Sequence, residues 1–234
     1  MSCQGAGGPG EDRPDADRAV LEGVDVSGPG LGPGAVAEAE LTTRRGRFRV
    51  LALRDPTDGE EHAALVLGEV REGEDVLTRA HSECVTGDVF GALRCECGDQ
   101  LEAALDLISA EGRGVVVYLR GHEGRGIGLL EKVRTLAVQD EHGLDTVDSA
   151  TALGLPVDVR DYGPAARILA HLGVRSVRLL SNNPDKVRAL REHGTEVASR
   201  VPLLMPARRE NTAYLTAKRD RLGHDLPHLD GPRG

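Results

Sequence analysis

The chain has 234 residues, with 29 Lys or Arg against 38 Asp or Glu and a formal net charge of −9. That length can bury a sizeable core, as one α/β unit or two smaller domains. The acid excess argues against a broad electrostatic footprint for nucleic acid or anionic membrane, while leaving room for a local basic pocket around one phosphorylated ligand. No apolar run approaches the roughly 20 residues that cross a bilayer, and the N-terminus lacks the basic-then-apolar order of a secretory signal. A cytoplasmic protein with neither membrane nor nucleic acid as partner is the expectation.

Residues 1–36 are dense in Gly, Pro and Asp and poor in apolar periodicity, so the segment reads as a disordered extension. Cys3 lies in it without an obvious partner and is given no role. Folded sequence is expected from Ala37, with strands at Phe48–Leu53 and His62–Val70 separated by the turn-rich DPTDG. After the cysteine-rich run HSECVTGDVFGALRCECGDQL, residues Leu101, Ala104, Leu105 and Ile108 recur at helical spacing and lead through glycine into the strand Val115–Leu119. A glycine-rich turn then precedes a helical pattern of Leu129, Leu130, Val133 and Leu136. Further on come a helix to Leu172, a strand Ser176–Leu180, a helix from about Asp185 and another strand. The fold class expected is mixed α/β: a β-rich N-terminal part followed by an α/β sheet core. The folded domain is placed at 37–205, followed by a short helix near Leu215–Leu222 and a flexible tail to 234.

Four constellations could carry chemistry. Cys84, Cys95 and Cys97, in a chain without a secretory signal, are better explained by soft-metal ligation than by disulfides, and zinc is the usual occupant. His81 could complete a closed structural site. Three thiolates with an open fourth position would instead make a Lewis acid that activates water. The second constellation is YLRGHEGRGIGL, where glycines, a following helix N-terminus and Arg125 suit phosphate, with Glu123 available to a metal or a base edge. The loop fits neither a dinucleotide fingerprint nor a P-loop. Third, LPVDVRDYG sets Asp158 and Asp161 around Arg160, which is either a surface ion-pair cluster or a working one. Fourth, in SNNPDKVRAL, Ser181 and Lys186 sit where α/β sheets bind ligands, although an N-cap and an exposed lysine would look the same.

Taken together, RAHSECVTGDVFGALRCECGDQLEAAL, RGHEGRGIGL, DTVDSATALGLPVDVRDYG and LLSNNPDKV, in this order and spacing, resemble GTP cyclohydrolase II, the first enzyme of riboflavin biosynthesis. The resemblance runs from about Ala37 to His224. It implies a catalytic zinc held by Cys84, Cys95 and Cys97, and it moves His81 into a GTP-binding segment comprising Arg79, Ala80, His81, Ser82 and Glu83. It also implies GTP contacts at Gln100, Glu123, Gly124, Arg125, Thr146, Ser181 and Lys186. Zinc-activated water would attack C8 of guanine, formate and pyrophosphate would leave, and magnesium would bridge the phosphates. Arg160 would be the nucleophile at the α-phosphorus and Asp158 the proton acceptor. Chemistry favours a different role for Arg160, because a guanidinium stays protonated and can stabilise phosphate charge. The resemblance further implies a homodimer, and with only about 40 residues ahead of the match a monofunctional chain, without the fused dihydroxybutanone-phosphate synthase domain of bifunctional relatives, is expected.

One departure bears on the product. Leu136 stands where the family carries a tyrosine, and leucine can neither donate a hydrogen bond nor relay a proton. The reaction would then stop at the formylamino-pyrimidine unless another phenol, Tyr118 or Tyr162, compensates. A non-catalytic nucleotide-binding protein with structural zinc is the alternative from a different class.

Overall fold

The computed structural model describes residues 36–230. Residues 1–35, Cys3 among them, and 231–234 lie outside the described residues; Val36, assigned to the extension, opens the first strand. Seven strands form one sheet: β1 Val36–Thr43, β2 Gly46–Arg54, β3 Glu61–Leu67, β4 Val76–Ser82, β5 Gly114–Leu119, β6 Ser176–Leu180 and β7 Glu196–Val201, in the order β1-β2-β3-β5-β4-β6-β7. The sheet is mixed. β1, β2, β3 and β5 pair antiparallel, whereas β5, β4, β6 and β7 run parallel. The β-rich part and the α/β part are therefore one continuous sheet joined at β3 and β5.

Among the described residues seven α-helices accompany it: α1 Val85–Asp88, α2 Cys97–Glu111, α3 Leu129–His142, α4 Thr146–Ala152, α5 Gly163–His171, α6 Pro184–Glu192 and α7 Thr212–Leu222. Val115, Val117 and Leu119 of β5, Val177 and Leu179 of β6, and Ile168 and Leu169 of α5 close the main core. Phe48, Leu77, Ala104, Ile108 and Val116 pack a second cluster under α2. Among the described residues no helix is long and apolar enough to cross a membrane.

Strand β4 was not anticipated. Its sequence VLTRAHS carries Thr78, Arg79 and His81, yet all but Ser82 are buried. A central parallel strand buries both faces, and polar side chains are accepted there only where they find partners. Helix α3 departs from expectation in the other direction. Leu129, Leu130 and Val133 are exposed, and Thr135 is its buried residue. The tail is also better anchored than expected: Leu226 is buried, and the Asp225 N–H donates to the Asn182 carbonyl at 2.8 Å.

Candidate active site

The carboxyl ends of β4, β5 and β6 converge, as ligand sites in α/β sheets do. Cys84 follows β4 as the N-cap of α1, and Cys97 opens α2. The Sγ atoms of Cys84, Cys95 and Cys97 all lie within 4.8 Å of one another, with Cys84 and Cys95 at 3.9 Å. At a Zn–S distance of about 2.3 Å, two sulfurs of a tetrahedral site stand about 3.8 Å apart, so donor set and spacing fit zinc. Gly87 makes the approach possible, because a Cβ there would lie 2.9 Å from Cys95 Sγ and 3.2 Å from Cys84 Sγ. Hydrogen bonds from Cys95 and Cys97 hold Cys84 far below the usual thiol range, and the same sharing pushes Cys95 and Cys97 up.

His81 is not a member of the cluster. Its Nε2 meets both Asp88 oxygens at 3.1 Å. Asp88 also accepts from the Cys84 N–H at 3.0 Å and the Tyr118 hydroxyl at 2.9 Å. The buried Asp88 carboxylate thus fixes the backbone that carries Cys84. Glu123 is equally committed: it accepts from the Val85 N–H at 2.6 Å and pairs with Lys132 at 2.5 Å. Lys132 in turn reaches Cys84 Sγ at 3.1 Å and Thr86 Oγ1 at 2.8 Å. Burial opposes its charge, but the Cys84 thiolate and Glu123 outweigh burial and keep Lys132 protonated.

Cys84, Cys95, Cys97, Thr86, Glu123 and Lys132 line a cavity of about 430 Å³ together with Ser82, Glu83, Gly124, Arg125, Leu136, Thr146, Arg160 and Tyr214. A smaller pocket of about 60 Å³ adjoins it, with Ser82, Cys97, Arg125, Arg160 and Tyr214 lining both. Its other walls include Arg79, His81, Gln100, Ser181, Lys186, Lys218 and His224. Five basic side chains, three arginines and two lysines, face it, and among the described residues no carboxylate does. Burial, then the charges of Arg79 and Arg160, push the Lys186 ammonium well below its ordinary range. Such crowding is costly in the absence of an anion and favourable with one.

The expected residues divide on inspection. Arg79 is buried, donating to Gln100 Oε1 at 2.7 Å and the Leu180 carbonyl at 2.9 Å. The Arg125 backbone has φ +63°, an uncommon conformation typical of functional turns, and its guanidinium donates to Thr146 Oγ1 at 3.1 Å. Gly124, at φ +60°, has no room for a side chain beside Ile127. Ala80 faces the core and offers only its carbonyl, to Lys186 at 2.7 Å. Lys186 is buried rather than exposed, and the N-cap of α6 is Asn183 rather than Ser181. Of the two neighbouring carboxylates, Arg160 pairs with that of Asp158, at 2.9 and 2.5 Å. Asp161 turns away to accept from the Gly163 N–H and to meet His193 at 3.0 Å, so the two-carboxylate cluster does not form. Burial disfavours the Arg160 charge, but Tyr162 and Asp158 hold its pKa above the ordinary value.

Residues 34–202 match the GTP cyclohydrolase II family. The chain belongs to that family. It is 60% identical over 190 residues to the GTP cyclohydrolase-2 of Streptomyces coelicolor, covering 81% of this chain and 85% of that protein. It is 58% identical over 191 residues to the riboflavin biosynthesis protein RibBA of Salinispora tropica, covering 82% and 48%. The match to RibBA of Mycobacterium tuberculosis is 55% over 199 residues, covering 83% and 47%, so the chain spans about half the length of these RibBA relatives. A solved two-domain 3,4-dihydroxy-2-butanone 4-phosphate synthase, RibBX of A. baumannii, aligns with a TM-score of 0.42 and 22% identity over 71% of this chain and 40% of its own.

Within this GTP cyclohydrolase II framework, several site groups escaped the sequence reading. His122 lies against Ser82 at 3.1 Å, and burial, reinforced by Arg160 and Lys186, lowers its pKa to about 3, leaving the ring neutral. Lys132 is one turn into α3 and reads in sequence as a solvated lysine. Tyr214 and Lys218 stand four residues apart on α7, a spacing that puts them on one helix face, which was the available signal.

Proposed function

We propose that the protein hydrolyses GTP, opening the guanine imidazole ring at C8 and releasing formate and pyrophosphate to leave a diamino-ribosylamino-pyrimidinone 5'-phosphate, an early precursor of riboflavin. The observation that carries this reading is the adjacency of a cavity lined by three thiols and a pocket lined by five basic side chains, which share Cys97, Arg125 and Arg160 as walls. Zinc held by Cys84, Cys95 and Cys97 would supply a Lewis acid able to activate water near neutral pH. The basic side chains around the smaller pocket would contact the triphosphate, and magnesium entering with it would offset phosphate charge. Arg160, kept protonated, stabilises charge at phosphorus and does not act as a nucleophile; Asp158 fixes its orientation. Lys132 holds its proton at Nζ between Cys84, Thr86 and Glu123. His122, neutral, keeps Ser82 in place.

A second product is favoured by one observation: Leu136 lines the cavity and presents no polar atom there. On that reading the reaction stops at the formylamino compound. Measuring formate per GTP consumed distinguishes them, with about one formate per GTP supporting complete hydrolysis and none supporting the formamide. A homodimer is also proposed, supported by the solvent-facing apolar side chains of Phe90 and Leu130, which are 73% and 64% exposed.

A further inference from the structure

Helix α7 lies beyond residues 34–202, yet it walls both compartments of the site. Tyr214 is the side chain that does so on both sides. Its ring is held in place. The Arg125 Cζ lies 5.8 Å and the Lys218 Nζ 5.2 Å from the ring centroid, within the roughly 6 Å reach of a cation–π contact. Lys218 is itself fixed by the fully buried Glu96, between Cys95 and Cys97, at 2.8 Å. Leu215, next in the helix, is completely buried and anchors α7 to the body of the fold.

The hydroxyl has a different status from those of the chain's other tyrosines. Tyr118 donates to Asp88 at 2.9 Å, the Tyr162 hydroxyl is buried without a hydrogen-bond partner, and neither side chain lines either compartment. Among the described residues the Tyr214 hydroxyl has no hydrogen-bond partner, and Tyr214 lines both the thiol-lined cavity and the basic pocket. A phenol is both donor and acceptor, and its rigid ring loses little freedom when it engages a ligand.

We infer that Tyr214 is a substrate-contacting residue whose hydroxyl hydrogen-bonds the bound nucleotide at the junction of the two compartments. The inference rests on the reading of this site as a GTP site. Lys218, itself fixed by Glu96, is the positioning residue that holds the ring.

The test compares full-length parent with Tyr214→Phe and Tyr214→Ala in steady-state GTP turnover, in equilibrium binding of a non-hydrolysable GTP analogue, and in thermal melting. The Phe variant keeps the ring and its cation contacts and loses only the hydroxyl. Its melting temperature should match the parent, while kcat/KM falls about fivefold or more. A contact present in the ground state appears as a raised KM and weaker analogue binding, and one made only in the transition state as a lowered kcat; either supports the assignment. The Ala variant, without the ring, should lose more. A Phe variant within twofold of an active parent in all three parameters overturns this inference alone. A parent that neither binds the analogue nor consumes GTP overturns the reading of the site and this inference with it.

Discussion

Replacing Gly87 with Ala adds one methyl group at the tightest point of the thiol cluster. The new Cβ would lie 2.9 Å from Cys95 Sγ, 3.1 Å from Cys97 Cβ and 3.2 Å from Cys84 Sγ. The shortest of these is about 0.5 Å inside the 3.4 Å at which ordinary contact begins. The backbone at Gly87 is not in the left-handed region, so Ala carries no conformational penalty there and gains up to about 1 kcal/mol of helix propensity. The sulfurs and α1 must separate by several tenths of an ångström, whereas metal–ligand distances tolerate only about 0.2 Å. Zinc affinity should therefore fall about 10- to 100-fold, equivalent to roughly 1.4–2.8 kcal/mol. The assay is competition of the protein with a chromophoric zinc chelator, with melting of the metal-free forms as the control for folding. Metal-free Gly87→Ala should melt close to the parent, because helix propensity offsets the crowding. A variant that retains parental zinc affinity would refute the argument that this glycine sets the geometry of the cluster.

Lys186→Met removes a buried ammonium crowded by Arg79 and Arg160; KM for GTP should rise tenfold or more while the melting temperature stays level or increases, and a lower melting temperature with unchanged KM would count against the cationic pocket. Asp55 is buried and forked by Arg167 at 2.6 and 2.8 Å. Burial would raise its pKa, but the hydrogen bonds from Arg167 and Thr57 prevail and lower it. Its contribution is then present above the unfolded-state value of about 3.9 and is lost as pH falls through the lower folded-state value. Asp55→Asn should cost about 2 kcal/mol at pH 7, and urea unfolding should show the gap from the parent closing as pH drops below about 4. Leu130→Asn should shift the protein from dimer to monomer in light scattering if α3 forms the subunit contact, and an unchanged mass would place the interface elsewhere.

Much of the site was legible because its chemistry is local in sequence. The three cysteines fall within fourteen residues of one another, and the Glu123–Arg125 turn announces itself through glycine. Helix ends were legible for the same reason: Gly112 adopts φ +75° after α2, and Asn183 with Pro184 starts α6. What was hidden depends on long-range pairing. β4 has the polar composition of a loop, and only the partners of Arg79 and His81 let it run through the centre of the sheet. Lys218 resembles a surface lysine until Glu96, 122 residues earlier, is found inside the fold. Asp161 is adjacent to Arg160 in sequence, but the start of α5 turns it towards His193. The apolar residues of α3 have helical spacing, and spacing alone does not say whether a face meets the core or another surface.

The central claim is that thiolates and cations in one site open the purine ring of GTP. Purified protein loaded with zinc should be incubated with GTP and magnesium, and pyrophosphate and the ring-opened pyrimidine quantified beside Cys95→Ser. The account predicts consumption of GTP with pyrophosphate and pyrimidine formed in equal amounts by the parent, and no turnover by a Cys95→Ser protein that remains folded. Intact GTP after incubation with the zinc-loaded parent, or undiminished turnover by Cys95→Ser, would contradict it.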